Sequence, residues 1–117
     1  MRHHNANRIF GRSKNQRLAL MRGLAKSLIT HEKIVTTEAK ARELRPFAEK
    51  LVTAAKKNTL ASRRQVFSTL GEPENEIVQK LFSVLGEKYK ERNGGYTRVI
   101  KMGRTKAGRD EAVIEFV

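Results

Sequence analysis

The sequence predicts an α+β fold in which central helices pack with a small three-stranded, mostly antiparallel sheet behind a basic N-terminal arm. Three observations lead there. Apolar residues between Leu18 and Leu85 recur at helical spacing, and from Tyr96 onward the period falls to two. Residues 1–12 have no period, mixing Arg, His, Asn and Gly11, and read as an extended arm. A chain of 117 residues has room for one domain or two very small lobes. The division expected here is an arm over 1–12 and a single domain over 13–117.

Ser13 followed by Gln16 reads as a capping box, in which each side chain accepts from an orphan backbone N–H. Leu18, Met21, Ala25 and Leu28, with Leu24 beside them, then carry a helix to about His31. The β-branched run Lys33-Ile34-Val35-Thr36-Thr37 is a strand, and Thr36 or Thr37 is placed to cap the next helix. That helix spans roughly Glu38–Lys57, with Leu44, Ala48, Leu51, Val52 and Ala55 inward. Pro46 should kink it or mark the first position of a second helix. After Asn58-Thr59 a further helix runs from Leu60 to Leu70 and closes at Gly71. Pro73 opens a fourth, whose stripe of Ile77, Val78, Leu81, Phe82 and Leu85 ends near Gly86.

In the tail, Tyr96, Arg98, Ile100 and Met102 alternate with Thr97, Val99 and Lys101. Ala112–Val117 is extended again, and the Gly-bounded basic loop Gly103–Gly108 between the two runs makes them an antiparallel hairpin. A hairpin alone is marginal, so the strand at Ile34–Thr37 is expected to join it.

The charge is large and unevenly placed. Twenty-five Lys and Arg against 12 Asp and Glu leave a formal +13, self-repulsion that points to a polyanionic partner. From Met1 to His31 there are seven basic residues and no acid; from Lys88 to Arg109 there are eight, opposed by Glu91 alone. The middle, Glu32–Glu87, is close to neutral with ten bases and eight acids, and Asp110–Val117 carries three acids. There are therefore two basic patches at opposite ends of the chain. No apolar run reaches the length of about 18 residues needed to span a membrane, and the N-terminus leads into no apolar segment of a secretory signal. Zero cysteines exclude disulfides, thiol catalysis and thiolate zinc sites. A small cytoplasmic polyanion binder remains.

Two stretches then bring a family into view. Ile34-Val35-Thr36-Thr37-Glu38-Ala39-Lys40-Ala41-Arg42-Glu43-Leu44-Arg45 and Gly94-Gly95-Tyr96-Thr97-Arg98-Val99-Ile100-Lys101 resemble the L-seventeen family of bacterial large-subunit ribosomal proteins. Met1-Arg2-His3, the segment Arg17–Leu28 before His31-Glu32, and Ala112–Val117 follow the same pattern, so the resemblance covers essentially the whole chain. It departs at His4-Asn5, where a basic pair is expected, and at Ile9. The resemblance implies a structural constituent of the large ribosomal subunit that binds large-subunit rRNA near the peptide-exit side, beside other ribosomal proteins. It would be cytoplasmic and ribosome-bound, with no cofactor, no small-molecule substrate, no membrane partner and no obligate homo-oligomer.

The residues' own chemistry points the same way, because Arg forks grip phosphate bidentately and Lys acts as a point charge. Contacts are expected from Arg2, His3, His4, Arg8, Arg12, Lys14, Arg17, Arg22 and Lys26 at one end. Arg92, Tyr96, Arg98, Lys101, Arg104, Lys106 and Arg109 would act at the other. Tyr96 could stack on a base or simply pack. A metal reading of His3, His4 and His31 lacks a convincing fourth ligand, and His31 also suits a helix C-terminus. An RNA-cleaving enzyme would need those histidines positioned in a cleft, yet the first 31 residues hold no carboxylate to orient them and no phosphate-cradling loop pattern occurs. A nucleoid protein would share the charge, but no helix-turn-helix or comparable DNA motif is present.

Overall fold

A computed structural model describes residues 13–117. The expected arm, 1–12, lies outside the described residues. Helix α1 (Lys14–His31) begins at the capping box: Ser13 accepts from the Gln16 N–H at 3.3 Å and Gln16 accepts from the Ser13 N–H at 3.0 Å. One residue past its end lies β1 (Lys33–Thr37), and Thr37, rather than Thr36, caps α2 (Glu38–Lys57) by accepting from the Lys40 N–H. Thr36 is buried instead.

Helix α2 passes through Pro46 unbroken, so Pro46 does not start a second helix. Arg42, whose carbonyl loses its intrahelical donor there, and Pro46 both lie on the exposed side. Helix α3 (Leu60–Thr69) opens on a Thr59–Ser62 capping box and closes through Leu70 and Gly71, whose φ of 72° suits a residue without a Cβ.

The fourth helix differs most from the sequence expectation. It starts at α4 (Asn75–Lys80), passes through a π-helical turn (Leu81–Leu85) and continues as Gly86–Lys88. Gly86 does not end the helix: it is helical, with φ −59°, and fully enclosed. A Cβ built on it would lie 3.1 Å from the Ala55 carbonyl oxygen. The glycine is there because the backbones of α2 and the fourth helix approach too closely for a side chain.

Strands β2 (Thr97–Arg104) and β3 (Asp110–Phe116) form the hairpin, and β1 joins it in the order β1-β3-β2, with both pairings antiparallel. Strand β2 continues past Gly103 to Arg104, because a bulge between Lys101 and Gly103 takes up the extra residue. The connection is therefore shorter than the sequence suggests. Ala112, Ile114 and Phe116 of β3 join Leu44, Ala48, Leu51 and Val52 of α2, with Leu28, Leu81, Phe82 and Leu85, in one continuous core. Helix α2 is thus the central strut between the sheet and the other helices.

Candidate nucleic-acid interface

The described residues of the first patch sit on α1 and divide by role. Lys14 is exposed in the first helical turn, which contains no acid. Cations there oppose the helix dipole, an arrangement that an anionic partner would relieve. Arg17 and Lys26 are half-buried on the same helix. Arg22 faces inward to the protein: its Nε donates to the Thr69 carbonyl at 2.8 Å and its Nη2 to Ser68 at 3.3 Å, capping the C-terminus of α3. Arg2, His3, His4, Arg8 and Arg12 lie outside the described residues.

The second patch follows the hairpin. Arg98 pairs with Glu115 across the strands at 2.9 Å and Arg104 with Asp110 at 3.3 Å, while Lys101 stands 3.7 Å from Glu38. All three cations are more than half exposed, so such pairs are worth about 0–1 kcal/mol each. Lys106 and Arg109 are exposed around the connecting turn. Arg92 is exposed, and its Nε donates to the Gly94 carbonyl at 3.4 Å.

Tyr96 is placed differently. Only 2% of it is exposed, and its ring packs on Tyr89 at 5.2 Å between centroids. It is a core residue at the root of β2, with no ring face open to a base. Helix α1 abuts β1, whereas β2 is the opposite edge of the sheet.

Sequence reasoning missed several residues that hold these elements. Lys56 reaches the Tyr96 hydroxyl at 2.9 Å; Glu49 accepts from the Thr97 N–H and hydroxyl; Lys80 donates to the Thr30 carbonyl at 2.8 Å, capping α1. All three contacts join residues far apart in sequence, so no local pattern signals them. Among the described residues, no group of three or more His, Cys, Asp or Glu is arranged to hold a metal ion, and no helix is long and apolar enough to cross a membrane.

Comparison with known proteins decides the family. The model of "Ribosomal protein L17" matches residues 20–117. The chain belongs to the ribosomal protein L17 family. Curated relatives extend the match to the whole chain. "Large ribosomal subunit protein bL17" of Hydrogenobaculum sp. (strain Y04AAS1) is 50% identical over 119 residues, covering 100% of this chain and 99% of its own length. The protein of the same name from Zymomonas mobilis is 52% identical over 118 residues, with 100% and 83% covered, and that of Thermodesulfovibrio yellowstonii is 50% identical, with 100% and 87% covered. The L17 family is one of ribosomal proteins rather than enzymes. Both stretches that carried the resemblance, Ile34–Arg45 and Gly94–Lys101, fall inside the matched region.

Proposed function

We propose that this L17-family protein is a structural constituent of the large ribosomal subunit and binds large-subunit rRNA through its two basic patches. Family membership supports the assembly. The observation that carries the RNA reading is the placement of exposed cations: Lys14 in an acid-free first turn of α1, and Arg98, Lys101, Arg104, Lys106 and Arg109 along the hairpin. Arg17, Lys26 and Arg92 complete the described part of the interface, and Arg2, His3, His4, Arg8 and Arg12 extend it into the arm.

Tyr96 and Arg22 act by holding the fold. The hairpin cations lie in weak exposed pairs, so trading a carboxylate for an rRNA phosphate costs little while counterion release favours it. Selectivity would come from RNA shape and 2′-hydroxyl contacts, because A-form major grooves are too narrow for side chains to read. Neighbouring ribosomal proteins are the other expected partners, and the location is the cytoplasmic ribosome. Sedimentation of a cell lysate tests this: recovery almost wholly with the large subunit is expected, and recovery in the ribosome-free supernatant would overturn it.

A further inference from the structure

The nearly neutral middle of the sequence conceals a third cationic site. Glu38, Arg42, Arg45 and Glu49 follow the spacing i, i+4, i+7, i+11 and so lie along one side of α2. Strand β2 runs over that stripe. Lys101 stands over Glu38, the Thr97 N–H and hydroxyl meet Glu49 at 3.4 and 3.2 Å, and Val99 lies between them. Both carboxylates are thereby tucked under the strand, with side chains 25% and 23% exposed. The cations keep far more surface: 50% for Arg42, 51% for Arg45 and 65% for Lys101.

Arg42, Arg45, Val99 and Lys101 line a shallow groove of about 280 Å³. One oxygen of Glu38 serves both Arg42, at 2.8 Å, and Lys101, at 3.7 Å. Arg45 stands 3.7 Å from Glu49, beyond hydrogen-bond length, and that carboxylate already accepts twice from Thr97. Three cations thus converge on one groove with two preoccupied acids behind them. Arg42 also lines an adjoining recess with Thr37, Glu38, Ala39, Arg109 and Asp110, so the groove leads directly to the hairpin patch.

We propose that this groove holds a phosphodiester of an RNA backbone, gripped by Arg42, Arg45 and Lys101, with Val99 as an apolar floor against a ribose. The guanidinium forks supply bidentate donors, and an anion there relieves the repulsion among the cations. The proposal rests on the rRNA reading above and adds a contact that joins α2 to the hairpin patch.

The test measures binding of the full chain to transcribed large-subunit rRNA over a salt series. Replacing both Arg42→Gln and Arg45→Gln should weaken binding about tenfold or more at low salt and lower the log–log salt slope by roughly 1–2. Replacing Lys50→Gln and Lys57→Gln, exposed on the same helix, removes the same charge and should do less than half of this. Glu38→Gln releases both Arg42 and Lys101 and should tighten binding, an effect that a purely structural Glu38 would not produce; it also keeps the test decisive if the arginine pair fails to fold. Equal losses from the two double variants, or unchanged or weaker binding with Glu38→Gln, would overturn the groove. Failure of the unaltered chain to bind rRNA would instead overturn the reading on which it rests.

Discussion

The Lys56 ammonium donates to the Tyr96 hydroxyl at 2.9 Å, and Tyr96 donates onward to the Arg92 carbonyl at 3.2 Å. The same ammonium also reaches the Arg92 carbonyl, closing a triangle that fastens the end of α2 to the root of β2. The root of the hairpin is held further because Tyr96 also packs on Tyr89, whose hydroxyl donates to the Val117 carbonyl at 2.6 Å.

The hydrogen bond from Lys56 holds the Tyr96 phenol below the ordinary tyrosine value near 10, against the opposing effect of burial. A lowered folded value means that the shift contributes stability fully above the unfolded value, and the contribution is lost as pH falls through the folded one. Lys56→Met should therefore move the Tyr96 titration upward; at neutral pH, where the shift itself adds no stability, loss of the charge-assisted hydrogen bond should separately cost roughly 1.5–3 kcal/mol. Ring-carbon NMR of labelled tyrosine across alkaline pH checks the first effect. An unmoved Tyr96 titration would contradict it.

Two helical glycines should respond oppositely to alanine. Gly86→Ala places a Cβ 3.1 Å from the Ala55 carbonyl oxygen, and the resulting overpacking should cost about 1–3 kcal/mol despite alanine's better helix propensity. Gly23 in α1 is exposed with nothing within 4 Å of such a Cβ, so Gly23→Ala should add about 0.5–1 kcal/mol. Thermal melts of the pair should separate in sign. A stabilising Gly86→Ala would mean that α2 yields more than its packing implies.

Arg22→Ala should behave as a stability variant. It removes the donor to the Thr69 and Ser68 carbonyls and leaves the end of α3 short of partners, for a cost of about 1–3 kcal/mol. The salt slope of RNA binding should barely change. A large slope change with an unaltered melting temperature would return Arg22 to the interface.

Neutralising Arg8, Arg12 and Arg17 together, or Arg98, Arg104 and Arg109 together, should each lower the log–log salt slope by roughly 2–3 and impair incorporation into large subunits. Losses from either trio are expected because two patches on one RNA share an effective-concentration advantage. The hairpin trio should lose more affinity, since Glu115 and Asp110 are then left unpaired beside the phosphates. If one trio abolished binding and the other left slope and incorporation untouched, the two-patch reading would fail.

What the sequence determined by itself is what depends on near neighbours. Ser13 with Gln16, the Thr36-Thr37 pair ahead of α2 and the β-branched run at Lys33–Thr37 marked their elements because caps and strand propensity act over a few residues, although only the structure chose Thr37 over Thr36. The inward face of α2 was legible from its period, and the concentration of charge at the two ends from simple position.

Tertiary structure decided everything that depends on what lies opposite. Gly86 looked like a helix end and is a close contact, because only the approach of Ala55 shows why a Cβ is absent. Tyr96 was open to stacking or to packing and is buried, because Tyr89 and Lys56 arrive from 7 and 40 positions away. Arg22 looked like an interface cation and caps α3, across 47 positions. The middle segment looked neutral because a running count of charge cannot register that β2 covers Glu38 and Glu49 while Arg42 and Arg45 stay open. Charge is counted along the chain, but its field acts through space, and only the fold determines which carboxylates lie close enough to cancel which cations.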